Sequence, residues 1–255
     1  MLTILQAIFL GALQGVTEFL PISSSGHLVV VQQLFGWKAE NGIILAFDVV
    51  LHVGTLFAVL VFFKKEIIEM LSGRAWKMVG LLFLATLPAV IVGFSIKDFI
   101  EEMFSSVTVV GVGWLVTGVF LCGTRYINKD GVGGISPLKS FLIGCAQAVA
   151  ILPGISRSGS TIAAGMFLKL DKTAAAKFSF LMAIPAIAGG AILDAKEIIA
   201  FPKEGSPQLI IGALVSFVVG YLSIRWLLSI IQRGKFWWFG IYCGLAGTFT
   251  LIWLR

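Results

Sequence analysis

Six apolar runs, near residues 43–63, 78–96, 107–123, 173–193, 208–226 and 236–254, dominate the chain, and each reads as a helix crossing the roughly 30 Å of hydrocarbon in a bilayer. Hydrophobic residues make up 58% of the 255 residues and charged residues 13%, with a mean hydropathy of +0.99, which excludes an ordinary soluble protein. The net charge of +6 and pI of 9.3 do not point to a nucleic-acid partner, because the basic residues sit in short loops rather than in a block or on an amphipathic face. They read as topology determinants. Lys64, Lys65, Arg74 and Lys77 follow the first span, and Arg125, Lys129 and Lys139 the third. Lys169, Lys172 and Lys177 lie around the start of the fourth; Arg225, Arg233 and Lys235 end the fifth. The positive-inside rule puts these loops in the cytoplasm and both termini outside, with the acidic or balanced loops at Lys97–Glu102 and Asp194–Glu204 also outside. No Lys or Arg precedes Lys38 and no cleavage region follows the first apolar stretch, so the N-terminus is expected in the mature protein. Cys122, Cys145 and Cys243 have neither metal-ligand nor disulfide spacing and read as small core residues.

Two further apolar stretches are broken. Residues 1–19 and 22–36 join at Pro21, and 138–152 and 156–168 join at a Pro-Gly turn; pieces this short suggest helices that dip into the bilayer and return. The two breaks are copies of one another, since Gly11, Gln14, Val16, Ile22, Ser23, Ser25 and Gly26 recur 133 positions later as Gly144, Gln147, Val149, Ile155, Ser156, Ser158 and Gly159. The expected fold class is therefore an all-α polytopic membrane protein, an inverted-topology repeat with six transmembrane helices and two re-entrant helical hairpins. Its halves are residues 1–130 and 131–255. Three crossings per half invert the second copy, so that the hairpins enter from opposite faces and meet near the midplane, where broken helices build a site.

The copies differ where chemistry is expected. Glu18, Ser24 and His27 of the first are Ile151, Arg157 and Ser160 in the second. Glu18 is the only acid in the first 39 residues and shares a helix face with Gln14, four residues earlier. It suits a hard divalent cation or a base, against a bland capping role. After Pro21, the free amides of a new helix with Ser23, Ser24 and Ser25 suit an anion. His27 is read as a general acid/base or a nucleophile, or as a polar residue satisfied by a carbonyl. Arg157, in the turn Pro-Gly-Ile-Ser-Arg-Ser-Gly, has the planar fork that fits phosphate oxygens, with Ser156, Ser158 and Thr161 as supporting donors. Asp48 and His52, four apart in the first span, are either a second layer orienting His27 or a metal, or a pair that satisfies itself.

The stretches QGVTEFLPISSSGH and LPGISRSGST resemble the bacterial undecaprenyl pyrophosphate phosphatase family, also called bacitracin-resistance proteins, and the likeness covers the whole chain. It implies removal of the terminal phosphate from a C55 lipid diphosphate at the outer face of the bacterial cytoplasmic membrane, with a divalent cation (Mg or Ca), recycling the lipid carrier of peptidoglycan synthesis. By the resemblance Glu18, Ser24, His27 and Arg157 match functional positions, with Ser23, Ser25, Ser156, Ser158 and Thr161 around them. Gln14 departs from members with Glu there but keeps an oxygen ligand, so the expected cation ligands are Glu18 and Gln14. His52 departs from the Gln of many members. Ser24 is placed first as nucleophile with His27 as its base, with His27 itself or a water as the alternatives. The partners implied are a polyprenyl diphosphate lipid and the bilayer, with a second copy of the chain, in a homodimer, as a further candidate. A transporter of polyprenyl phosphate is the competing reading, because broken-helix inverted repeats are also a transporter architecture.

Overall fold

The computed structural model describes residues 3–36, 43–127, 131, 133–202 and 205–254; Lys38, Lys129, Glu204 and Arg255 lie outside them. Among the described residues the fold is built of thirteen α-helices, and the only β pairing is an isolated bridge between Gly133 and Leu170. Helix α1 (Ile4–Phe19) starts on Thr3, whose hydroxyl accepts from the Gln6 amide while the Gln6 side chain accepts from the Thr3 amide. It ends at Leu20, whose extended backbone is what a following proline requires. Helix α2 (Ser24–Leu34) then restarts on Ser23. At 1.5 Å per residue the two are about 24 and 16 Å long, each shorter than the roughly 30 Å of hydrocarbon. The second broken pair is α8 (Pro137–Val149) and α9 (Arg157–Phe167).

Among the described residues five helices are long and apolar enough to cross a membrane: α3 (Ile43–Phe62), α5 (Trp76–Ser95), α7 (Val107–Gly123, prolonged by a 3-10 turn to Tyr126), α10 (Lys172–Leu193) and α12 (Ser206–Gln232). The sixth expected span, 236–254, is the 16-residue α13 (Trp238–Trp253), about 24 Å long. Residues expected as loops also form helix: α4 (Lys64–Leu71), α6 (Lys97–Met103) and α11 (Ala195–Ile199). In α4 the charged residues Lys64, Lys65, Glu66 and Glu69 alternate with Ile67, Ile68 and Leu71, the pattern of a helix at a membrane interface.

Glycine sets how closely the long helices approach. α1 lies against α12, where a Cβ on Gly11 would meet the Gly212 carbonyl at 2.6 Å and one on Gly15 the Gly220 nitrogen at 2.8 Å. α8 lies against α5 in the same manner, while α7 pairs with α13, and α3 packs between α10 and α12. Phe19, Phe63, Phe178 and Phe180 fill the centre, with Phe19 edge-on to Phe180 at 5.7 Å. Leu5, Phe83, Val119 and Leu245 point outward and exposed, as a lipid-facing surface demands. At one end of the bundle Lys177 pairs with Glu66 at 2.8 Å, Arg125 lies 4.7 Å over the Trp237 ring, and Gly133 bridges Leu170. These contacts gather the basic segments after α3, around α7, before α10 and before α13 at one face.

Candidate active site

Two half-helix N-termini meet inside the bundle. Ser23 turns the chain into α2 at φ 67°, and its hydroxyl accepts from the Gly26 amide at 3.3 Å and lies 3.2 Å from the Ser25 hydroxyl. Ser156 opens α9 in the same way, accepting from the Gly159 amide at 3.1 Å. The first-turn amides of Ser24, Ser25, Arg157 and Ser158 find no acceptor among the described residues. The loops touch: the Ser158 hydroxyl donates to the Leu20 carbonyl at 3.2 Å, and a Cβ on Gly159 would meet the Pro21 ring at 3.1 Å. Helix α7 clamps both. Trp114 Nε1 donates to the Ile22 carbonyl at 2.7 Å; one turn on, Thr117 Oγ1 donates to the Gly154 carbonyl at 3.2 Å and accepts from the Ser156 amide at 3.1 Å. Gly154 has φ 85° and sits where a Cβ would fall 2.2 Å from the Val110 carbonyl, so only glycine fits.

Glu18, buried at the end of α1, is the centre of the site. One carboxylate oxygen takes the Arg157 guanidinium, and Oε2 accepts from Ser24 Oγ at 2.6 Å and Gln14 Nε2 at 3.1 Å, with His52 Nε2 at 3.7 Å. The other Arg157 nitrogen reaches the Ser179 carbonyl at 3.4 Å. The residue pair that separated the two sequence copies, Glu18 and Arg157, is thus joined across them.

His27 lies elsewhere than expected. Its Nδ1 is 2.7 Å from the Ser23 carbonyl and its Nε2 is 2.6 Å from the Tyr242 hydroxyl, so both ring nitrogens are engaged. The Ser24 hydroxyl is on Glu18, and the expected Ser24–His27 pairing gives way to Ser24–Glu18, because the start of α2 faces the end of α1 while its next turn faces α13. Asp48 and His52 are not a side-chain pair: His52 Nδ1–H donates to the Asp48 backbone carbonyl at 2.7 Å, and the Asp48 carboxylate accepts from Gln32 at 2.8 Å. His52 stands beside Glu18, not His27. The supporting hydroxyls are committed to the protein, with Ser156 and Ser158 in the loop contacts and Thr161 bonded to the Arg157 carbonyl at 2.8 Å and the Ser179 hydroxyl at 2.6 Å. The Arg157 side chain itself is held by Glu18 and the Ser179 carbonyl.

Sequence reasoning missed Trp114, Thr117, Ser179 and Tyr242. Two side chains with a polar atom three residues apart, Trp114 and Thr117, on one face of otherwise apolar α7 are the signal that marked the first two. The three cysteines are free; Cys243 is buried as expected of a core residue, whereas Cys122 and Cys145 are only partly buried. Among the described residues no three His, Cys, Asp or Glu side chains cluster as a metal site. A hard cation held here would have as protein oxygens Glu18 and the Gln14 Oε1, which is fully buried and without a hydrogen-bond partner. Such a two-oxygen set fits a cation that takes its other ligands from phosphate and water.

Half-helix N-termini, a guanidinium and a carboxylate enclosed within a bundle of membrane-spanning helices define an integral membrane protein that handles an anionic group at membrane depth. Residues 7–249 match the family described as bacitracin resistance protein BacA, and the chain belongs to that family. It is 43% identical to the undecaprenyl-diphosphatase of Desulfosudis oleivorans, over 97% of each chain. It is 40% identical to that of Bacteroides fragilis strain YCH46, over 97% of each, and 38% identical to that of Carboxydothermus hydrogenoformans, over 97% of this chain and 96% of the relative.

Proposed function

We propose that the chain is an integral membrane phosphatase that removes the terminal phosphate of undecaprenyl diphosphate, giving undecaprenyl phosphate and inorganic phosphate, and so supports carrier recycling and bacitracin resistance. The observation that carries the chemistry is the double engagement of Glu18, by the Ser24 hydroxyl on one side and the Arg157 guanidinium on the other. Glu18 takes the Ser24 proton as Ser24 Oγ bonds to the terminal phosphorus and the bond from phosphorus to the bridging oxygen breaks, releasing undecaprenyl phosphate. A water then attacks the phosphoserine phosphorus and the bond to Ser24 Oγ breaks; Glu18 returns its proton to Ser24 Oγ, and the water's hydrogens leave with the inorganic phosphate. Arg157 and the free amides of the two half-helices bind the phosphate oxygens and the charge that develops on them. Glu18 and Gln14 would hold a divalent cation, Mg or Ca, which would offset the charge of the diphosphate.

Reciprocal packing, α1 on α12 and α8 on α5, supports a repeat of residues 1–130 and 131–255. The gathered basic segments support a cytoplasmic side at that face, with both termini and the mouth of the site on the outer side of the cytoplasmic membrane.

Phosphate release from undecaprenyl diphosphate by purified protein in detergent tests the reading. Release is expected with a divalent cation and to stop on chelation, and Ser24→Ala is expected to abolish it while leaving lipid binding intact. A protein that releases no phosphate yet moves the lipid across vesicle membranes is the transporter instead.

A further inference from the structure

We propose that Tyr242, on α13, is a positioning residue that holds His27 in one tautomer and, through it, the Ser23–Ser24 turn that carries the nucleophile; this rests on the phosphatase reading above. A carbonyl oxygen only accepts, so the 2.7 Å contact between Nδ1 and the Ser23 carbonyl puts the ring proton on Nδ1. The Nε2 lone pair then faces the Tyr242 hydroxyl, which donates to it at 2.6 Å. The two rings lie nearly parallel, at 10° with centroids 5.8 Å apart, and Trp114 closes on the imidazole edge-on at 4.9 Å. The imidazole therefore has one orientation and one protonation pattern.

What it holds is a turn that does not hold itself. Ser23 has φ 67°, a conformation that side-chain-bearing residues keep only where the surroundings impose it. Its carbonyl accepts both from His27 Nδ1 and from the His27 amide, the latter at 3.2 Å. That carbonyl shares a peptide unit with the Ser24 N–H. A donor on the carbonyl polarises the peptide, so the Ser24 amide becomes a stronger donor to an anion, in the same residue whose hydroxyl lies on Glu18. Helix α13 is well placed to impose this. The neighbouring Cys243 thiol reaches the Pro21 carbonyl at 3.6 Å, and α13 is seated on α7 by glycine contacts, a Cβ on Gly118 falling 3.0 Å from the Gly240 carbonyl. His27 acts on the backbone of the turn, while Glu18 serves the hydroxyl.

The chain has two histidines, so imidazole ¹⁵N spectra of the full-length protein, assigned with His52→Gln, read His27 directly. Wild type is expected to show His27 neutral and protonated at Nδ1. Tyr242→Phe keeps the ring and removes the hydroxyl; a mixture of tautomers is expected, with kcat for phosphate release from undecaprenyl diphosphate down about tenfold, KM within about twofold and an unfolding temperature lowered by only a few degrees. In His27→Asn, whose amide nitrogen sits where Nδ1 was, adding Tyr242→Phe is expected to change nothing further, because no Nε2 remains to meet the hydroxyl. An Nε2-protonated His27 in wild type, a Tyr242→Phe kcat equal to wild type, or effects that multiply in the double variant would each overturn the proposal. A wild type that releases no phosphate sinks the phosphatase reading, and the spectra still decide whether Tyr242 holds His27.

Discussion

Arg157 divides its two terminal nitrogens between Glu18 and the Ser179 carbonyl, so its fork is aimed before any phosphate arrives. Arg157→Lys keeps the charge but has one point of attachment, and the expected outcome is a loss of about 10²–10³ in turnover at normal expression. Phosphate release per milligram of purified variant checks this, and near-normal turnover would leave Arg157 with a purely structural part. Glu18, Ser24, Arg157 and Gln14 were legible because each breaks a local rule: an acid or a guanidinium at membrane depth, or hydroxyls at a proline break. Tyr242 was not, since a tyrosine in an apolar helix breaks nothing, and its partner His27 is 215 positions away. The Ser24–His27 pairing failed for a related reason. Spacing three apart gives a shared helix face, but the first residue of a helix points back toward the preceding element, here α1.

Helices α1 and α8 match in sequence but differ in what their glutamines meet. Gln14 bonds to Glu18, whereas Gln147, 2% exposed, has neither amide atom partnered, its Glu18 counterpart being Ile151. Gln147→Met removes a buried amide that makes no hydrogen bond and is expected to raise stability, by about 1 kcal/mol or more, at unchanged phosphate release; thermal unfolding in detergent measures it. In α7, Thr117→Val leaves the Ser156 amide and the Gly154 carbonyl without a partner. It should cost about 1–3 kcal/mol and lower turnover, and the pair of measurements falls against the clamp if stability drops alone. The element boundaries were largely readable from apolar length. The short helices α4, α6 and α11 were not, because their charge masked an amphipathic period over only five to eight residues.

For the molecule as a whole, reporter fusions after Lys65 and after Arg255 are expected to give opposite readings, cytoplasmic for the first and external for the second; a cytoplasmic signal from both contradicts the topology. The ion pair between Glu18 and Arg157 has a further consequence at this scale. It gives Arg157 a resident counter-anion tethered to the same molecule. Orthophosphate left behind after the lipid departs competes for that guanidinium against a carboxylate that never diffuses away, which is competition at high effective concentration. Such tethered competition would weaken inhibition by the small product, and turnover measured against added orthophosphate checks it.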